Sequence, residues 1–134
     1  MYLAQMAATH AASPEVKQFA ATVISDHTHV DQEMSALAKD KGISIDRQYR
    51  VEENPVYEAM LAHLAQLTGP DFDQAYLEQT AENHTLELTQ YLSLAGAASD
   101  APTQLFAARQ VARVRDRLRR AKQILREVQH ELTV

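Results

Sequence analysis

Cysteine and tryptophan are both absent from this chain. With no thiol there is no disulfide framework, no zinc–thiolate site, no iron–sulfur cluster and no cysteine nucleophile. A cysteine-free chain is tolerated in any redox compartment, so its location stays open on this ground. Glycine occurs three times and proline four times, which argues against an all-β fold with a turn every ten residues or so. No apolar run approaches the ~20 residues of a membrane-spanning helix, and no signal peptide is read ahead of Met1. Catalytic signatures are missing too: there is no GxSxG, no glycine-rich phosphate loop and no HExxH.

What the chain does have is 134 residues, 46% of them hydrophobic and 23% charged. That is the size and balance of one globular domain with a real core, so residues 1–134 are read as a single unit. The net charge of −5 is unevenly spread. Residues 109–126 hold Arg109, Arg113, Arg115, Arg117, Arg119, Arg120, Lys122 and Arg126 against Asp116 alone, a local +7 that leaves −12 for the remainder. The cations fall in two helical rows, 109–113–117–120 and 115–119–122–126, with no aromatic residue between them. Base stacking has no platform there, and no nucleic-acid partner is expected. A basic helix packed beside acidic ones is the plainer reading, with pairing to Glu15, Asp26, Asp31, Glu33 or Glu87.

Apolar periodicity marks helices throughout. Residues 1–12 are alanine-rich and break at Ser13-Pro14, where Ser13 suits an N-cap, Pro14 a first helical position and Glu15 the positive end of the helix dipole. The second helix runs over 14–41 and stops at Gly42, with Val16, Ala20, Val23, His27, Val30, Met34 and Leu37 as its seam. Residues 42–54 lack helical periodicity. Asn54-Pro55 opens a short helix to about 68 that carries Tyr57, Met60, Leu61, Leu64 and Leu67, and Pro70 opens a long one to 97. The seam of the latter is Leu77, Ala81, His84, Leu88, Tyr91 and Ala95, with Phe72 and Tyr76 also read as core and the phenols reaching polar partners. The last helix covers 103–132 on an uninterrupted seam of Ala107, Val111, Val114, Leu118, Ala121, Leu125, Val128 and Leu132. Two helical hairpins joined by a long connection predict an all-α, ferritin-like four-helix bundle with one long crossover carrying a short extra helix.

The residues left to carry chemistry are histidines and carboxylates on these helices. His27 and Asp31 lie one turn apart, as do His84 and Glu87, and such spacings suit metal ligands. The helix-bundle di-iron signature, Glu-x-x-His on two helices, matches only at Glu127-x-x-His130, near the chain end. Counting ~1.5 Å of rise per residue puts His27, His84 and Arg117 near the midpoints of their helices, and so in one layer. Followed back from Ser13, the first helix reaches that layer just before Met1, leaving a fourth position unfilled. Arg117 sets a permanent positive charge there, which opposes a cation and suits Asp26, Asp31 or Glu87 as partner. Structural histidines, a metal or small-anion site and a pH-responsive pair all remain open. Asp73 reads as an early-helix charge, and His10, His63 and His130 as solvated.

At these residues the sequence resembles a bacterial ferritin-like family known as domain of unknown function 4142. The likeness is carried by SPEVKQFAATVISDHTHVDQEM (13–34), LTGPDFDQAYLEQTAENHTLEL (67–88) and, more faintly, VRDRLRRAKQIL (114–125). It implies that the family's histidines correspond to His27 and His84. The family usually has Asp where this chain has Asn83 and a third histidine where it has Arg117. The central polar layer is thus Asp26, His27, Asn83, His84 and Arg117, and the metal ligands, if any, His27, His84, Asp31 and Glu87. The resemblance also implies a periplasmic or envelope setting.

Three functions follow as expectations. The first is a non-enzymatic binding or structural module needing no cofactor. The second is a metal-binding or oxidase-like relative holding a divalent ion. The third is an anionic-surface or nucleic-acid binder using the last helix. The short first helix leaves apolar surface along Val30, Met34 and Leu37. Residues 55–68 are expected to cover part of it, and a homodimer the rest.

Overall fold

The computed structural model describes residues 2–41 and 55–133, and every regular element among them is helical. In chain order these are α1 (Tyr2–His10), α2 (Pro14–Asp40), α3 (Pro55–Ala65), α4 (Gly69–Ala97) and α5 (Ala101–Thr133). The connection at 42–54, with the expected Gly42 stop, lies outside the described residues. None of the helices is long and apolar enough to cross a membrane.

Local chemistry sets the boundaries. Ser13 is extended (φ −77°, ψ 129°) and Pro14 follows at the first turn, as expected, yet the Ser13 side chain makes no capping bond. The turn is held instead by Asp73 of α4, whose carboxylate accepts from the backbone N–H of Ala12 at 3.0 Å and of Ser13 at 2.9 Å. Asp73 does lie early in α4, as expected, but it is buried and serves as a latch between α4 and the α1–α2 turn. Gly69, at φ +63°, supplies the left-handed backbone that leads α3 into α4. α5 begins two residues earlier than its periodicity suggests because Asp100 caps it. One Asp100 oxygen accepts from the Thr103 N–H at 3.0 Å and from its hydroxyl at 2.7 Å. The other receives Lys41 Nζ at 2.6 Å, tying the end of α2 to the α4–α5 turn.

These two ties fix direction. α2 and α4 both start at the Ser13–Asp73 end and finish at the Lys41–Asp100 end, so they run the same way, and α5 returns against both. Packing runs α1 on α2, α2 on α5, α5 on α4 and α4 on α1, which closes a ring. The core is densest near the Ser13–Asp73 end, where Leu3, Ala7, Val16, Phe19, Phe72, Tyr76, Leu77, Ile124 and Val128 are buried together. α3 packs against α1 and α4, placing Leu64 in the core with Met60, Leu61 and Leu67 against it. Along the apolar surface that residues 55–68 are expected to cover in part, Val30 is buried and Leu37 half-buried, while Met34 stays 38% exposed.

Candidate functional site

The inward stripe of α5 is Ala107, Gln110, Val111, Val114, Arg117, Ala121, Ile124 and Val128, all buried. The uninterrupted apolar seam read from the sequence is therefore corrected. Leu118 and Leu125 are half-buried and Leu132 is exposed, while Gln110 and Arg117 take inward positions. An arginine can do this because its aliphatic stem packs among apolar neighbours while the guanidinium reaches carboxylates on flanking helices.

Arg117 Nη1 donates to Asp26 Oδ2 of α2 at 3.0 Å, and its Nη2 lies 3.6 Å from Glu87 Oε2 of α4. One guanidinium thus joins three helices at a single level, with only 7% of its side chain exposed. About two turns along, Glu33 of α2 gathers Arg113 at 2.9 Å, Arg109 at 3.7 Å and Gln110 Nε2 at 3.2 Å. As residue numbers rise along α2 they fall along α5, the signature of antiparallel pairing. The inner row of basic residues, 109–113–117, is paired as its expected role in the fold requires; Arg120 and the outer row remain exposed.

His84 sits in the same layer, buried, with its ring centroid 6.5 Å from that of Phe19. Neither ring nitrogen has a hydrogen-bond partner among the described residues, nor do Tyr76 Oη, Thr80 Oγ1, Gln110 Oε1 and Arg117 Nε. The Thr80 side chain faces the Tyr76 phenol and the Thr80 backbone faces the His84 ring, but neither contact meets hydrogen-bond geometry. The expectation that the Tyr76 phenol finds a polar partner is corrected. Burial, and then the Arg117 charge, push the His84 pKa down to about 4, so the ring is neutral at pH 7. His27, half-buried, is lowered too, by burial first and with Arg117 contributing. Burial raises Glu87 against the pull of Arg117, and it drives the Tyr76 phenol up to about 12.

The remaining sequence-derived candidates lie apart from this junction. Asp31 is exposed and acts on His27 only through its charge. Asn83 is half-buried, and its Oδ1 accepts from Gln79 Nε2 at 3.0 Å along its own helix. Among the described residues no three His, Asp or Glu side chains come together as a metal-holding group. His10, read as solvated, is half-buried against Phe72 with centroids 5.4 Å apart, and its Nδ1 lies 3.1 Å from the Met6 carbonyl oxygen. Beside the layer, a cleft of about 380 Å³ opens between α2 and α5, lined by Phe19, Thr22, Asp26, Arg113, Arg117 and Arg120 among others.

The model of one protein family, described as Domain of unknown function (DUF4142), matches residues 1–124. The chain belongs to this family. No curated protein and no solved structure matches it. For a DUF4142 domain of this sequence, the two features that sequence reasoning missed are the Asp73 latch and the inward Gln110. Asp73 carried one signal, an acid on the same α4 stripe as Leu77 and Tyr76. Gln110 carried its own, lying three residues from Ala107 and four from Val114.

Proposed function

We propose that this DUF4142 chain is a ferritin-like four-helix bundle with one long crossover, and that it serves as a non-enzymatic binding or structural module of the bacterial envelope. The bundle reading is supported by the closed ring of helix contacts and by the shared direction of α2 and α4, which a long crossover between them requires. The envelope setting rests on the family resemblance. The observation that carries the non-enzymatic reading is the engagement of Arg117 by Asp26 and Glu87. Where a di-iron protein of this topology converges carboxylates on metal, this chain neutralises them with a guanidinium from α5.

The alternative is a metal-binding or oxidase-like relative with its ion at His27 and His84, assisted by Asp31 and Glu87. Its support is the pair of neutral imidazoles in one layer, the His84 ring having both nitrogens unpartnered. Anaerobic titration with iron(II) and manganese(II), followed by desalting and elemental analysis, separates the readings. The module reading predicts no stoichiometric retention. An ion held in fixed ratio by the wild type and lost on His84→Ala overturns it.

A further inference from the structure

The outer face of α5 has no part in the polar layer or in the packing of the bundle. Arg115, Arg119, Lys122 and Arg126 follow one another at spacings of four, three and four residues, a single straight row, and all four are exposed. The row is about 16 Å long at ~1.5 Å of rise per residue. Positions 108, 112 and 129 extend the same face as Ala108, Ala112 and Gln129, so no carboxylate interrupts it. The nearest acid is Asp116, round the side of the helix, which reaches Arg119 at 3.4 Å with both side chains more than 70% exposed. Arg115, Lys122 and Arg126 form no ion pair among the described residues. The inner row of the same helix is spoken for by Glu33, Asp26 and Glu87. One helix thus commits Arg109, Arg113 and Arg117 to its neighbours and leaves a second row aligned on the surface, with only the exposed Arg119–Asp116 contact within it.

We infer that this row is a docking surface for an anionic phospholipid bilayer, against which the bundle lies with α5 parallel to the membrane plane. Three features choose this occupant. The row is straight and lies on a rigid convex helix, so a flat sheet of headgroups meets all four cations at once, whereas a duplex crossing such a rod meets them over about a turn. The face offers no aromatic side chain for stacking on bases. Beside the row the large apolar side chains of α5 (Val111, Val114, Leu118, Ile124, Leu125 and Val128) are buried or half-buried, so attachment is electrostatic, without insertion, and reversible by salt. The net negative charge of the chain does not forbid this, because screening over ~8 Å at physiological salt weakens repulsion from carboxylates on the far helices.

The test is sedimentation of the full chain with vesicles of equal parts phosphatidylglycerol and phosphatidylcholine, across a salt series. The wild type binds at low salt, is released as salt rises and ignores vesicles of phosphatidylcholine alone. Changing Arg115, Arg119, Lys122 and Arg126 together to Gln weakens binding roughly a hundredfold or more, since each surface cation contributes about a fivefold factor. The four sites are exposed, so the fold survives the change. The pair Lys17→Gln and Lys39→Gln, exposed on α2, leaves binding within about twofold if the row is what binds. Equal binding to neutral vesicles, no loss in the fourfold variant, or tighter binding of a short DNA duplex through the same row each overturns the inference. None of these outcomes bears on whether a metal is retained at His84.

Discussion

Ser13 and Asp73, sixty residues apart in the chain, are joined by a 2.9 Å hydrogen bond from the Ser13 N–H to the Asp73 carboxylate. The other carboxylate oxygen takes the neighbouring Ala12 N–H. A single buried acid thereby replaces the side-chain cap that the serine does not make, and it couples the α1–α2 turn to α4. Charge-assisted bonds of this kind contribute about 1.5–3 kcal/mol each, and unmaking them strands buried donors. Asp73→Ala should therefore destabilise the fold by about 3 kcal/mol, and Asp73→Asn, which keeps one acceptor, by about half as much. Urea denaturation followed by circular dichroism reads both. A cost below about 0.5 kcal/mol for the alanine variant counts against the latch.

His84 ties stability to pH. Its folded-state pKa of about 4 lies below the ordinary histidine value of 6.5, so between these pH values the unfolded chain takes up a proton that the native one refuses. Stability is then lost as pH falls from 6.5 towards 4, by up to roughly 3 kcal/mol. The groups facing His84 are Arg117, His27 and Asp26. Glu87, whose pKa is raised, opposes the loss at the acid end, because the native state then binds its proton more readily. His84→Phe removes two unpartnered polar atoms and should raise Tm most at pH 5. A lower Tm for this variant at both pH 5 and pH 8 would show that the imidazole is engaged.

The Glu33 cluster should matter much less. Arg109 is 55% exposed, Arg113 39% and Glu33 28% along their side chains, so water and salt screen the pairs. Glu33→Gln should cost no more than about 1 kcal/mol, and less still in high salt. Thermal melts with and without added sodium chloride check this; a salt-independent loss above about 2 kcal/mol contradicts it.

The half of the helical fold towards the Lys41–Asp100 end keeps Met34, Leu86, Leu92, Leu94 and Leu105 between 38% and 60% exposed. We expect a second copy to cover part of this surface. Sedimentation velocity at micromolar concentration should find a homodimer that Leu86→Gln with Leu105→Gln converts to monomer. A 15.0 kDa species in the wild type would remove the expectation.

The helices were legible because Pro14, Pro55, Pro70 and Pro102 each mark a start and because apolar spacing carries direct information about burial. The shared level of His84 and Arg117 was legible from helix rise alone. The Asp73 latch was not, since its partners are backbone N–H groups sixty residues away that no side-chain pattern advertises. The rotation of α5 was hidden for a different reason. Leucines at 118 and 125 outweigh Gln110 and Arg117 in any hydrophobic pattern, and only the carboxylates on α2 and α4 turn the arginine inward. The placement of α3 was not legible, because the pattern shows that residues 55–65 are amphipathic without showing which groove takes them.

The claim at the centre of this account is that Arg117 is committed to the fold, holding α2 and α4 to α5 through Asp26 and Glu87. A double-mutant cycle on Arg117→Met and Asp26→Asn, read as unfolding free energies, tests it most directly. Because the guanidinium is nearly buried and Asp26 only partly so, the arginine variant should cost about 3 kcal/mol and the aspartate variant about 2. The coupling between them should be at least 1 kcal/mol. A coupling within 0.3 kcal/mol of zero, with Arg117→Met as stable as the wild type, would contradict the account and free the layer for another role.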